Sequence, residues 1–292
     1  MIKYFLNKIE SSAQRAWVKA VAEMVFMINY ILLSNIPGGK RCPVCGSMLI
    51  TLFRPVCSKE LMNQWGLDAY WENLMQKREG EICVSCGSSL RVRQLGLTLV
   101  SWINHQGGKV GFSVNDLVKN KKLNNLKVAE INSCGALHGF IKNLPGLCYS
   151  EYITKDPSVR RENIMSLSYA DETFDVVLHS DTLEHVPSVD KSLSEVWRIL
   201  KKGGVSIFSV PIIRDGRRTL NRSTLSNNGE VKHLLPASYH GGSMQKNNQY
   251  LVFSEFGADF ALLMQKQNFK INLVENNENE AAVTFIAEKK IV

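Results

Sequence analysis

Two Cys-x-x-Cys pairs, Cys42-Pro43-Val44-Cys45 and Cys83-Val84-Ser85-Cys86, are residues whose type and spacing fix a chemistry. A two-residue gap lets two thiolates converge on one ion, and the glycine after each second cysteine, Gly46 and Gly87, permits the tight turn. Two such knuckles supply four sulfurs in tetrahedral arrangement, a donor set that suits Zn2+ best. Four thiolates leave no open position, so the predicted site, Cys42, Cys45, Cys83 and Cys86, is structural. Cys57, Cys134 and Cys148 remain, and Cys57 is an alternative ligand. An odd cysteine count with paired close spacings favours metal ligation in a reducing compartment over a disulfide framework. The gap between the knuckles is longer than in a short ribbon, and helix-like sequence from Lys59 to Gln76 fills it.

A second set of residues sits where apolar runs end. Lys127 to Ile131 reads as a short buried strand carrying Glu130, followed by Asn132-Ser133-Cys134-Gly135. Gly135 and Gly139 allow a tight strand-to-helix turn with close backbone approach to a ligand. Glu151 comes 21 residues after Glu130, in Tyr149-Ser150-Glu151-Tyr152. An acid at the end of the second strand of an α/β nucleotide fold can take two ribose hydroxyls, because a carboxylate only accepts hydrogen bonds. Phe174 to Leu178 is a buried strand whose end, His179-Ser180, falls at the carboxyl edge of the sheet, where open α/β folds bind ligands. His185, His240 and His179 are the candidate proton acceptors, with His233 and Asp181 behind them. His240 is preferred because it lies in a long polar segment, Arg214 to Asn248, of the kind that covers sites in compact enzymes.

Positioning these groups requires alternating strands and helices. Ser188 or Asp190 can cap a helix whose Leu193, Val196, Trp197 and Leu200 share one face. Lys201, Lys202 and Gly203 suit its exit, and Val205 to Val210 reads as a further strand. Phe256 to Phe269 reads as a helix, followed by strands over Lys270–Val274 and Ala281–Glu288. The 292 residues divide into a helical lead-in over 1–40, a cysteine module over 41–95, and an α/β domain over 96–292 with a mostly parallel sheet. Trp17 to Leu33 is apolar but interrupted by Lys19, Glu23 and Asn29, too short for a membrane span. It reads as a helix packed on the protein's own core, with contact to a membrane surface or a partner protein as the alternative.

Two phrases, "LSYADETFDVVLHSDTLEHVPSVDKSLSEVWRILKKGG" and "VSIFSVP", resemble the class I S-adenosylmethionine-dependent methyltransferases in their small-molecule, type 11 branch. The resemblance implies a Rossmann-like fold ending in an antiparallel hairpin, with the zinc module in front of it. It implies that Glu130 sits near the methionine end of the cofactor or orients its loop, and that Glu151 holds the ribose with Gly135 and Tyr152 alongside. Asn163 and Ile164 would flank the adenine, where the family usually has an aspartate. His179 and Ser180 would line the cofactor's other side. Family members usually follow the first strand with Gly-x-Gly-x-Gly, whereas this chain has Asn132-Ser133-Cys134-Gly135. In this it is similar to a subset that pairs a "SEY" second strand with upstream cysteine knuckles and is commonly found beside genes for surface-polysaccharide assembly.

The resemblance therefore implies S-adenosyl-L-methionine and structural Zn2+ as cofactors, and a small-molecule or glycan acceptor such as a lipid-linked saccharide. An RNA methyltransferase is the first alternative. The formal charge of +8 fits phosphate binding, and Arg91 and Arg93 form a basic pair after the second knuckle, though no dense basic stripe with interleaved aromatics accompanies them. A non-catalytic binding module is the second alternative, motivated by the missing glycines. No secretory signal is read at the start, so the expected location is cytoplasmic, with peripheral contact at the inner membrane face through the N-terminal helix.

Overall fold

The computed structural model describes residues 40–108, 110–241 and 250–290. The helix expected over 1–40, and the membrane contact assigned to it, lie outside these residues apart from Lys40. No described helix is long and apolar enough to cross a membrane.

The chain opens with the first knuckle, strand β1 (Thr51–Phe53) and helices α1 (Lys59–Gln64) and α2 (Ala69–Gly80). The helix-like run between the knuckles is thus two helices. Gly66 breaks it at φ 58°, and Asp68 restarts it by accepting from Trp71 N at 2.9 Å. Strand β2 (Glu81–Cys83) pairs antiparallel with β1 and leads into the second knuckle. Helix α3 (Leu90–Gly107), capped by Ser89, runs continuously through the boundary expected at residues 95 and 96. Helix α4 (Val114–Lys119) starts with a capping box, in which Ser113 and Asp116 each bind the other's backbone N–H.

A seven-stranded sheet follows. It contains β3 (Val128–Ile131), β4 (Leu147–Glu151), β5 (Arg160–Arg161), β6 (Phe174–Ser180), β7 (Leu200–Ser209), and the terminal pair β14 (Phe269–Val274) and β15 (Thr284–Lys289). The order across the sheet is β14-β15-β7-β6-β3-β4-β5. All pairs from β5 to β7 are parallel, while β15 runs antiparallel to both β7 and β14. The chain builds outward from β3 to β5 and then crosses back to lay β6 on the other side of β3. The crevice at the carboxyl ends of β3, β4 and β6 is therefore the topological switch point, where folds of this kind bind ligands.

Period-two alternation divides the sheet's side chains between two cores. Ala129, Phe174, Val177 and Phe208 face one core, closed by α5 (Val189–Ile199) and α6 (Phe260–Gln265). Val128, Val176, Leu178, Val205 and Ile207 face the other, which they share with α3 residues and with Cys42, Val44 and Cys83. The cysteine module is thus a covering layer of the sheet. A third cluster joins Met62, Trp65, Trp71, Leu74 and Met75 to Ile213 and Ala281.

Three expected elements differ in extent. The helix read from Phe256 shrinks to Phe260–Gln265, because Gly257 packs against the 217–219 backbone and Asn268 takes φ 58°. The helix before β7 stops at Ile199, and β7 already begins at Leu200, which bends into the extended region at ψ 137°. The polar stretch from Arg214 folds in part into short antiparallel pairs: β8 (Leu220–Asn221) with β13 (Ser254–Glu255), β9 (Ser223–Leu225) with β10 (Val231–His233), and β11 (Tyr239–His240) with β12 (Tyr250–Leu251). Its residues 242–249 lie outside the described chain.

Candidate active site and metal centre

The four knuckle cysteines come together as the spacing predicts. Their sulfurs lie within 4.8 Å of one another, and Cys42 Sγ to Cys86 Sγ measures 3.8 Å. Zn–S bonds of ~2.3 Å in a tetrahedron set the sulfurs about 3.8 Å apart, so the cluster fits a zinc ion. A disulfide would need about 2.05 Å. Each knuckle closes with a backbone bond to the glycine N–H, Gly46 to Cys42 O at 2.9 Å and Gly87 to Cys83 O at 2.8 Å. Both glycines take left-handed φ, 80° and 75°, as the turn requires. Ser47 Oγ approaches Cys45 Sγ at 2.9 Å, and Ser88 Oγ approaches Cys86 Sγ at 3.1 Å. Hydrogen bonds among the four thiols hold Cys42 and Cys83 below the ordinary thiol pKa and push Cys45 and Cys86 above it, so the four share their protons as one group. Cys57 stands apart. Its backbone is bound to the Gln76 side chain, and burial pushes its thiol up to about 12.

At the sheet's carboxyl edge, Glu130 is fully buried and shapes the loop after β3. It accepts from Cys134 N at 2.8 Å and from His138 Nδ1 at 2.6 Å. A hydrogen bond to a buried carboxylate contributes ~1.5–3 kcal/mol, so this acid organises the turn after β3. Asn132 takes φ 59°, and its side chain accepts from Tyr152 N at 2.9 Å and donates to Thr182 Oγ1 at 3.3 Å. It ties the ends of β3, β4 and β6 together. Gly135 takes φ 63° and packs on Val92, where a β-carbon would come within 3.3 Å. Glu151 is half-buried at the end of β4, with Oε1 accepting from Ser133 N at 3.1 Å and from the Tyr149 hydroxyl. Among the described residues Oε2 has no partner, which leaves it for a ligand. Tyr152 beside it is exposed.

The other expected cofactor residues divide. Asn163 is half-buried in a turn, with Oδ1 accepting from Met165 N at 3.0 Å, while Ile164 is buried in the apolar core. Ser180 lies at the strand end but is already engaged by Arg91 Nη1 and Ser209 Oγ. His179 corrects the expectation. Alternation along β6 turns it into the core, fully buried and stacked on Phe208 at 4.5 Å, so it lines no cleft. Burial alone pushes its pKa down to about 3.

His185 and His240 are brought together, with ring centroids 4.6 Å apart. A 3-10 turn, Leu183–His185, places Glu184 and His185 just beyond β6, and the β11–β12 pair delivers His240. His185 Nδ1 donates to Leu251 O at 3.0 Å, and its Nε2 faces Glu184 Oε1 at 3.6 Å. Burial pushes His240 down to about 3, with His185 adding to the effect, so it is neutral and a weak proton acceptor. The role of general base expected for it is at odds with that environment. His233 lies apart, bonded to Ser223 at 2.9 Å.

Asp181, a reserve proton acceptor in the sequence, is instead the centre of an ion-pair group. Arg78, buried in α2, donates to both Asp181 oxygens at 2.7 Å, and Arg91 reaches Asp181 at 3.2 Å and Glu79 at 2.9 Å. Asp181 has φ 47°, and its carboxyl is pulled well below the usual range by Arg78 and Arg91 against the cost of burial. Arginines in a polar helix read as solvated, and no local signal marks their inward turn. Arg93 also points inward, to Glu81 and to Ser88 O.

Residues 143–208, from just before β4 to the end of β7, match the family model described as "Methyltransferase domain". A curated relative, demethylmenaquinone methyltransferase of Alkalihalophilus pseudofirmus, is 48% identical over 54 residues, which is 18% of this chain and 23% of the relative. The chain thus matches less than a quarter of that protein's length. Among solved structures, an S-adenosylmethionine-dependent methyltransferase from Clostridium acetobutylicum aligns at 14% identity and TM-score 0.40, covering 61% of this chain and 91% of that one. Another from Mesorhizobium loti aligns at 14% identity and TM-score 0.38, covering 57% and 91%. Residues 143–208 are thus similar to the family whose resemblance is seen in the sequence, and the strand order is that of a Rossmann-like α/β sheet closed by an antiparallel hairpin.

Proposed function

We propose that this chain is an S-adenosylmethionine-dependent methyltransferase stabilised by a structural zinc ion, and that its acceptor is a hydroxyl of a saccharide or lipid-linked glycan. The observation that carries the cofactor reading is Glu151, an acid at the end of the second strand with one oxygen unpartnered, beside a loop fastened to the strand before it. Glu151 would hold the ribose hydroxyls, Glu130 would keep the Asn132–Gly135 turn in place through Cys134 N, and the Asn163 turn would border the base. S-adenosylmethionine supplies an electrophilic methyl group on sulfur. What the protein must add is alignment of the acceptor with that methyl group, which is chiefly a matter of position. Glu184, His185 and His240 at the same edge present acceptor atoms suited to an acceptor hydroxyl. The alternative RNA acceptor loses support because Arg91 and Arg93, its basic pair, are both engaged inside the protein.

Calorimetric titration of the zinc-loaded chain with S-adenosylmethionine and its demethylated product tests the reading. Binding with a Kd of the order of micromolar is expected. Glu151→Ala should weaken it ~10- to 100-fold, the loss of a charge-assisted hydrogen bond. Absence of binding at millimolar ligand by folded protein would overturn the enzyme and leave a binding module on this fold. Salt-sensitive RNA binding, with no methyl transfer to saccharides, would overturn the glycan acceptor.

A further inference from the structure

Glu184, His185 and His240 offer three ligand atoms within 4.8 Å of one another. Among the described residues, both Glu184 oxygens and His240 Nε2 are buried without a hydrogen-bond partner. Glu184 is entirely enclosed, and the cavity it shares with His240 is walled by Trp65, Ile213, Val252 and Phe256. Buried acceptors facing one another are costly unless something positive lies between them.

The tautomer of His185 sharpens the point. Because Nδ1–H donates to the Leu251 carbonyl, Nε2 carries the lone pair, and it is Nε2 that faces Glu184. Metal-ligating histidines are oriented in this way, with the far nitrogen bound to a backbone carbonyl or carboxylate. The 3.6 Å between Nε2 and Glu184 Oε1 is close to the ~3.4 Å edge of a tetrahedron with metal–ligand bonds of about 2.1 Å. His240 is presented from a separate strand pair, and Trp65 holds its ring edge-on at 5.3 Å.

We propose that Glu184, His185 and His240 bind a divalent first-row transition ion, a second metal site separate from the cysteine cluster. Two imidazoles and a carboxylate suit Zn2+, Fe2+ or Mn2+, and three protein ligands leave coordination positions open to exchangeable oxygen ligands. The site adjoins the crevice end of β6, so an acceptor hydroxyl is the ligand those positions would take. That role rests on the function proposed above; the binding of the ion does not.

Metal content per chain decides it without any activity measurement. The full-length protein is stripped with chelator, reloaded with Zn2+ or Mn2+, desalted and analysed by elemental mass spectrometry. Wild type should hold two ions after zinc loading. Glu184→Gln and His240→Gln should each hold one, with affinity for the second reduced at least about 100-fold. Circular dichroism checks that the variants fold, and His240→Gln, on a surface strand pair, serves if Glu184→Gln does not. Co2+ loading separates the sites, since only the cysteine cluster gives thiolate charge-transfer absorption. Equal metal content in wild type and folded His240→Gln would overturn the site. Failure to bind S-adenosylmethionine alongside two metals would overturn the proposed function and leave the site standing.

Discussion

Arg78 grips Asp181 with two parallel guanidinium–carboxylate bonds of 2.7 Å each, fastening helix α2 of the cysteine module to the residue that follows strand β6. Arg78 is almost wholly buried, and Asp181 holds a left-handed backbone conformation that the grip stabilises. Breaking a buried pair by removing one partner leaves an uncompensated charge and costs ~3–5 kcal/mol. Arg78→Ala should therefore lower stability by about that amount in urea unfolding. An effect under about 1 kcal/mol would mean that Arg91 alone suffices to hold Asp181.

The two knuckle glycines should not respond alike. Gly87 has open space where a β-carbon would project, whereas at Gly46 that atom would meet Ser113 Oγ at 2.8 Å. Both sit at positive φ, so alanine costs ~1–2 kcal/mol at either position from conformation alone. Gly46→Ala should cost measurably more than Gly87→Ala in thermal unfolding, and equal losses would place the strain wholly in the backbone.

His179 supplies an acid-side dependence. Its folded pKa is depressed to about 3, while the unfolded chain titrates near the ordinary ~6.5. The unfolded state then binds the extra proton, so this residue withdraws stability as pH falls from ~6.5 toward 3. His179→Phe should flatten that slope and raise stability at neutral pH by about 1–2 kcal/mol, because two unsatisfied buried nitrogens disappear. Affinity for S-adenosylmethionine should be unchanged. A fall would put His179 back at the cleft.

His138 has the opposite sign. Its hydrogen bond to Glu130 raises its folded pKa above the unfolded value. Its contribution is fully present below the unfolded value of ~6.5 and is lost as pH rises through the folded pKa. The stability difference between wild type and His138→Gln should be larger at pH 5.5 than at pH 8.5. A difference that does not vary with pH would mean that the bond to Glu130 involves neutral imidazole in both states.

Removing the zinc ion proposed for the cysteine cluster should loosen the whole face of the sheet that the cluster covers. Cys42→Ser with Cys83→Ser should lower the melting temperature by about 10 °C or more, which at 2–4 °C per kcal/mol is at least ~3 kcal/mol. A melting temperature insensitive to chelators and to these changes would argue for four merely buried thiols.

What was legible in the sequence was local. Gly46 and Gly87 announce their turns because only glycine enters left-handed φ freely. Leu193 and Val196 announce their helix face, and alternation from Lys270 to Val274 announces a hairpin strand. What escaped depended on partners distant in the chain. His179 lies one residue before Ser180, yet strand alternation sends one into the core and the other toward Arg91. Glu184 and His240 meet only because the β11–β12 pair folds back over the end of β6. The missing glycines after β3 had a replacement in view, Glu130 and Asn132, but their bonds to Cys134 N and Tyr152 N cannot be read from residue type.

The shared core has a consequence for how this protein can be divided. Val128, Val176, Leu178 and Val205 pack in one cluster with Cys42, Val44, Cys83 and Leu95. A chain shortened to begin at residue 96 would start inside α3 and leave that flank of the sheet bare to water. The cysteine segment therefore acts as a keystone. Grafting the downstream half onto another partner, or trimming it to a minimal catalyst, would require carrying the knuckles along or rebuilding the wall they provide.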